Sequence, residues 1–231
     1  MSTPSSTPSS TPTSTPTSNL MSMQRRYTLL AQLRSRRHGH IGLLGGSFNP
    51  AHQGHAHIAD IAMAHVQLDQ IIWLVSPQNP LKSADGMAPF ATRLASAQAV
   101  AKQCRHSAQM HVSAFEQVAD LRFTADTVRF LATTCSHITF YWLMGADNLA
   151  QFHQWYRPQQ ILHHARPVVI NRPGYQAAAL ASPIAQRMTR LPARRLRHKR
   201  RPARRQNRPY WSFIQAQLIA LSATEIRTSI H

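Results

Sequence analysis

Two imidazoles flanking a glycine, in His52-Gln53-Gly54-His55, follow closely on Gly45-Gly46-Ser47-Phe48-Asn49-Pro50. Glycines let a backbone approach a phosphate, and a helix beginning near Gly54 would turn unpaired N–H groups toward an anion. His52 and His55, three residues apart at that helix start, can both donate N–H to phosphate oxygens, and the helix terminus adds to the positive field. The spacing matches neither G-x-G-x-x-G nor G-x-x-x-x-G-K-[ST], which excludes a dinucleotide fingerprint and a P-loop. In a chain with 14 histidines such a pair alone decides little. Near the C-terminus, Leu221-Ser222-Ala223-Thr224-Glu225-Ile226-Arg227 reads as a helix start, with Ser222 as N-cap and Glu225 completing a capping box. The same hydroxyls and free N–H groups, with Arg227 one turn in, suit the phosphates of a nucleoside triphosphate.

Together these segments resemble the nucleotidylyltransferase superfamily that carries the His-x-Gly-His motif. Asn49 stands where many members have Asp, and Ala51 where Pro or a bulkier apolar residue is frequent. The segment from Ser222 to Arg227 resembles the Ser-x-Thr-x-Ile-Arg motif of the same superfamily. Two further segments point to one branch. Phe140-Tyr141-Trp142-Leu143-Met144-Gly145-Ala146-Asp147-Asn148-Leu149 is similar to the strand-then-Gly-x-Asp segment of bacterial-type nicotinate-mononucleotide adenylyltransferases, and Phe152-His153-Gln154-Trp155-Tyr156-Arg157 to their Trp-containing segment. Leu121-Arg122-Phe123-Thr124-Ala125-Asp126-Thr127 resembles their Tyr-Thr-x-x-Thr segment, with Phe123 in place of Tyr. Val75-Ser76-Pro77-Gln78-Asn79-Pro80-Leu81-Lys82 resembles their Pro-x-x-x-Pro-x-x-Lys loop, and Arg172-Pro173-Gly174-Tyr175 a further landmark.

The resemblance implies a doubly wound, Rossmann-like α/β fold and transfer of the adenylyl group of ATP to nicotinate mononucleotide, giving nicotinate adenine dinucleotide and pyrophosphate in NAD biosynthesis. It implies that His52, His55, Lys82 and Arg227 carry the chemistry. ATP would be bound by Gly45, Gly46, Ser47, Phe48, His52, His55, Gly145, Asp147, Arg172, Ser222, Thr224 and Arg227. The mononucleotide would lie on Phe123, Thr124, Ala125, Thr127, Trp155 and Tyr156, with the Trp155 indole on the pyridine ring and backbone N–H groups meeting the carboxylate. Mg²⁺ would arrive on the ATP phosphates with few protein ligands. Alternatives stay open: a transferase of the same superfamily using phosphopantetheine, or an inactive homologue, since this chain stops at His231 and relatives continue further past the last motif.

These residues need elements to position them, and from residue 40 onward short apolar runs alternate with amphipathic stretches, the pattern of a parallel sheet covered by helices. Strands are expected over Ile41 to Leu44, Ile71 to Val75, Met110 to Val112, Ile138 to Met144 and Pro167 to Ile170. Helices are expected over Gly54 to Val66, Pro89 to Gln103, Thr124 to Thr134 and Trp155 to His164. Ligands of such sheets bind at the carboxyl ends of the strands, where the motif residues fall. Residues 2 to 19 repeat Ser, Thr and Pro with no charge, so residues 1–22 are expected to be a disordered tail, and Met21 and Met23 are alternative starts. The transferase domain is expected over 38–231, interrupted at about 176–210 by a basic excursion for which disorder is expected, ahead of a last strand and helix.

With 231 residues and 43% hydrophobic content, one substantial core is the expectation. No apolar run approaches the roughly 20 residues that cross a bilayer, and no secretion signal is visible, so a cytoplasmic protein without a membrane partner is expected. Cys104 and Cys135 lie in no metal-site spacing, so they read as free thiols and no protein metal site is expected. The formal net charge of +18 suggests nucleic acid, yet eleven Lys and Arg fall between Arg187 and Arg208 with no acid among them. Taking those eleven from +18 leaves +7, moderate for a protein that holds a polyphosphate. Nucleic acid is therefore not the expected partner, and the sequence says nothing of oligomeric state.

Overall fold

The computed structural model describes residues 28–77, 86–198 and 208–216. Seven strands run parallel in the order β3-β2-β1-β4-β5-β7-β6. They are β1 (Gly39–Gly46), β2 (Gln70–Val75), β3 (Met110–Ser113), β4 (Ile138–Gly145), β5 (Ala165–Ile170), β6 (Thr189–Arg190) and β7 (Tyr210–Ile214). β1 pairs with β2 on one side, Gly46 against Val75, and with β4 on the other, Leu44 against Leu143. The chain fills one half of the sheet before β4 opens the other, so the β1/β4 boundary is the switch point, outside which doubly wound sheets hold their ligands.

Every residue of β2 and β5 is buried, as parallel strands covered on both faces require. Side chains alternate between two cores with period two. Ile72, Leu74, Phe140, Trp142 and Met144 join the core beneath α5 (Thr124–Thr134) and α7 (Pro158–His164). Ile71, Trp73, Val75, Tyr141 and Leu143 join the core beneath α2 (Gln53–Val66) and α3 (Phe90–Ala101). The buried face of α2 is mostly alanine, with Ala56, Ala59 and Ala62, which lets the helix that carries the histidines lie close on the sheet. A helical stretch over 28–34, here α1, packs Leu29, Leu30 and Leu33 into the first core, so the folded unit begins before residue 38.

The expected strands and helices are present, with ends shifted by a residue or two, except in two places. The helix expected from Trp155 starts at Pro158. Arg157 sits in the left-handed region at φ 46°, and the proline ring disfavours helical geometry for the residue before it. The second correction concerns the basic stretch, which is ordered through His198. It forms α8 (Gln176–Ala181), α9 (Pro183–Gln186), β6 and α10 (Ala193–His198). Short Ser- and Pro-capped turns carry too little periodicity to register as helices, but each buries an apolar anchor: Ala179, Ile184 and Leu196. Among the described residues two further α-helices are present, α4 (Phe115–Val118) after β3 and α6 (Ala146–Gln151) after β4. The tail over 1–22, residues 199–207 and the expected last helix lie outside the described residues. No helix among the described residues is long and apolar enough to cross a membrane.

Candidate active site

The first strand ends on Gly45 and Gly46 because the Trp142 indole of β4 lies against Gly45, where any Cβ would fall on the ring. The chain then turns through Phe48, held in the left-handed region at φ 47°. That conformation costs a non-glycine residue about 1 kcal/mol or more. Burial of the ring, 1% exposed, offsets it: Phe48 stacks on Trp73 at 5.4 Å and tilts against His55 at 4.9 Å. Its side chain is thus a platform under the second histidine.

The start of α2 is capped by the two imidazoles themselves. His52, the N-cap, accepts from the Gly54 N–H through Nδ1 at 3.1 Å, and the His55 Nδ1 accepts from the His52 N–H at 3.2 Å. A capping box is ordinarily built from a hydroxyl and a carboxamide or carboxylate. Here each ring accepts at Nδ1, which places the hydrogen of the neutral imidazole on Nε2. The ring centroids are 3.9 Å apart. No acidic residue occupies the first turn of α2, so the positive end of the helix dipole is unopposed from within the helix. An Nε2–H on each ring beside a helix N-terminus is chemistry that suits an anion.

At the ends of the neighbouring strands, Gly145 closes β4 and Asp147 enters α6. Asp147 Oδ2 accepts from Arg172, in the loop after β5, at 2.6 Å. Its Oδ1 is buried and, among the described residues, has no hydrogen-bond partner. An ionised carboxylate with one oxygen neutralised and the other unfilled suits a hydroxyl donor.

On the opposite face, Phe123 immediately precedes α5 and gives it no side-chain cap, while the first bonds within the helix are those from Asp126 and Thr127 to the Phe123 carbonyl. The N–H groups of Thr124 and Ala125 therefore lead a helix whose N-cap side chain gives them no acceptor. Phe123 stacks on Tyr156 at 4.2 Å, and the Arg157 guanidinium lies 4.9 Å from the Tyr156 ring. Trp155 is half-buried, edge-on to Trp142 at 6.1 Å and against Phe152 at 5.1 Å. Thr127 is fully buried, and its hydroxyl donates to Glu116 at 2.8 Å, so its side chain ties α5 down. Burial pushes the Glu116 carboxyl up to about 7, against the opposing effect of that hydrogen bond.

The structure thus gathers Gly45, Gly46, Ser47, Phe48, His52, His55, Gly145, Asp147 and Arg172 at the carboxyl ends of β1, β4 and β5. The stack of Phe123 and Tyr156 brings the two expected mononucleotide segments together. Lys82, Ser222, Thr224 and Arg227 lie outside the described residues. Buried ionisable residues escape sequence reasoning, Glu116 and Arg93 among them. Glu116 is a lone acid in a short helix, and Arg93 is an arginine whose acceptors are all backbone carbonyls; neither residue type announces such a role. Both cysteines are buried, and burial, with a smaller contribution from Asp60, pushes the Cys104 thiol up to about 12, which denies it a nucleophile's role.

Comparison with known proteins places these features in a family. Residues 43–229 match the family model described as Cytidylyltransferase-like. A protein of Rhizobium johnstonii named "Probable nicotinate-nucleotide adenylyltransferase" is 42% identical over 192 residues, covering 81% of this chain and 91% of the relative. Proteins of the same name from Rhizobium etli and Brucella abortus are 42% and 39% identical, again over 81% of this chain and covering 94% and 93% of their own lengths. Among solved structures, a Plasmodium falciparum nicotinic acid mononucleotide adenylyltransferase complexed with NaAD superposes with a TM-score of 0.63 at 16% identity, covering 83% of each chain, a likeness of fold. With relatives at this identity over most of its length, the chain belongs to the nicotinate-nucleotide adenylyltransferases of the cytidylyltransferase-like family.

Proposed function

We propose that this chain joins the adenylyl group of ATP to nicotinate mononucleotide and releases pyrophosphate. The 5′-phosphate attacks the α-phosphorus in line, with no covalent intermediate, so catalysis consists of positioning and of stabilising charge on the α-phosphate and the leaving group. The observation that carries the reading is the histidine capping box, in which two imidazoles are fixed as Nε2–H donors at an unopposed helix N-terminus.

In this reading His52 and His55 bind the phosphates, with His55 closest to the reacting phosphorus and Gly45 and Gly46 admitting them to the backbone. The unfilled Asp147 Oδ1 accepts a ribose hydroxyl, while its bond to Arg172 holds the carboxylate in place beside the adenine. Lys82, Ser222, Thr224 and Arg227 bear on the remaining phosphate oxygens. Mg²⁺ held through the ATP phosphates would supply charge neutralisation. Among the described residues no group of three or more His, Cys, Asp or Glu side chains could hold a metal ion, and phosphate oxygens and water would be the ligands expected for Mg²⁺.

The preference for nicotinate over nicotinamide rests on the N–H groups of Thr124, Ala125 and Tyr156. Donors at a helix N-terminus favour an anionic carboxylate, whereas a carboxamide brings donors of its own. Trp155 lies under the pyridine ring, supported from behind by Trp142. Pyrophosphate release from ATP, measured with nicotinate mononucleotide, nicotinamide mononucleotide and phosphopantetheine as acceptors, tests the assignment. The expected result is turnover with the first, at least tenfold weaker kcat/KM with the second and none with the third. Turnover with phosphopantetheine alone would reassign the chain within its superfamily.

A further inference from the structure

Arg93 lies in the first turn of α3, is 2% exposed, and places its whole guanidinium on backbone carbonyls. Nε donates to Ala88 at 3.0 Å, one terminal nitrogen to Ser47 at 2.7 Å and Ser76 at 2.8 Å, and the other to Pro77 at 2.8 Å. These carbonyls belong to three separate segments: the loop after β1, the loop after β2 and the approach to α3. No carboxylate pairs with Arg93 among the described residues. The charge is thus buried on backbone dipoles, with the Phe90 ring 5.2 Å from its guanidinium carbon, where a carboxylate is the common partner. Its planar fork of five N–H groups is the only side chain that can hold so many acceptors in one plane.

The loop after β1 is the one that carries the histidine pair, and it is bound to the same neighbours a second time. Asn49 Nδ2 donates to the Gly86 carbonyl at 3.0 Å, and Asn49 Oδ1 accepts from the Ala88 N–H at 3.0 Å. Ser96, one turn along α3 from Arg93, accepts from the Ala51 N–H at 3.1 Å. Helix α3 and the ends of the two loops therefore form one block, with Arg93 at its centre.

We propose that Arg93 is a positioning residue for adenylyl transfer: its guanidinium locks the loop after β1 to the loop after β2 and so sets where the phosphate-binding groups stand. This rests on the adenylyl-transfer reading above. Arg93 acts through Ser47, Ser76 and Pro77 and touches no substrate. A transfer that depends on in-line alignment is sensitive to such support, since a displacement of about 1 Å costs on the order of a hundredfold in rate.

The test compares Arg93→Gln and Arg93→Lys with the unaltered full-length chain by thermal melting, ATP affinity from calorimetry, and kcat and KM for pyrophosphate release. The folded Arg93→Gln protein is expected to lose about a hundredfold in kcat and about tenfold in ATP affinity. Arg93→Lys, which keeps the charge but not the fork, is expected to recover most of the melting temperature while kcat stays at least tenfold down. That split between stability and rate is what a purely structural arginine would not give. The proposal is overturned if folded Arg93→Gln binds ATP and turns over within threefold of the unaltered chain, or if Arg93→Lys recovers kcat in step with stability. Should Arg93→Gln fail to fold, Arg93→Lys decides by the same criterion. If the unaltered chain releases no pyrophosphate, the transfer reading fails, and the ATP affinities still decide whether Arg93 organises the phosphate loops.

Discussion

Replacing Glu116 with glutamine removes a buried carboxyl whose ionisation the fold opposes. Burial raises the group from 4.5 to about 7, with the Thr127 hydroxyl pulling the other way. The folded state thus holds the proton more tightly than the unfolded chain. Its stabilising effect is complete below pH 4.5 and is lost as the pH rises toward 7, staying lost above that. At about 1.36 kcal/mol per pH unit, the ionised form at pH 8 carries a penalty of about 3 kcal/mol. Glutamine accepts the Thr127 hydroxyl as well as the carboxyl does, but its buried amide N–H groups cost about 1 kcal/mol if unpaired. The net expectation is a gain of about 2 kcal/mol at pH 8, or roughly 4–8 °C in melting temperature for a domain of this size, and little or no gain at pH 5. Thermal melts of Glu116→Gln and the unaltered chain across this range measure it. A gain of equal size at both pH values, or none at pH 8, would refute the reasoning.

Gly45→Ala sets a methyl group on the Trp142 ring, which backs Trp155. Overpacking costs about 1–3 kcal/mol, and the expected outcome is a lowered melting temperature with a several-fold higher KM for the mononucleotide, read by melting and steady-state kinetics. Asp147→Asn weakens the 2.6 Å bond with Arg172 and turns the carboxylate, with its buried Oδ1 acceptor, into an amide. A charge-assisted bond of this kind contributes about 1.5–3 kcal/mol, so KM for ATP should rise at least tenfold while KM for the mononucleotide changes little.

The parallel sheet was legible because buried strands such as Ile71 to Val75 are continuous apolar runs bounded by turn residues. The loop from Gly45 to His55 was legible because its chemistry depends on neighbours in sequence. Where the reading failed, the cause is physical. Trp155, Tyr156 and Arg157 continue the periodicity of α7, but Pro158 supplies the true first position of that helix, a signal present in the sequence and outweighed by periodicity. The basic stretch hides its order because a single anchor such as Leu196, whose carbonyl accepts from the buried Arg166 at 2.6 Å, makes no periodic pattern. Arg93 was invisible for a different reason. Its acceptors are backbone carbonyls from Ser47 to Ala88, and a backbone carbonyl has no identity in a sequence. Phe48 belongs to the same class of surprise, since its motif position suggested the ligand while its ring supports His55.

If the capping box of His52 and His55 presents Nε2–H donors to the reacting phosphates, the turnover of His55→Ala with ATP and nicotinate mononucleotide reads it out. Loss of one donor to the transition state costs about a hundredfold or more. The expected result is a fall in kcat of at least about that size, with the fold intact by circular dichroism. A folded His55→Ala enzyme that releases pyrophosphate within threefold of the unaltered chain would contradict it.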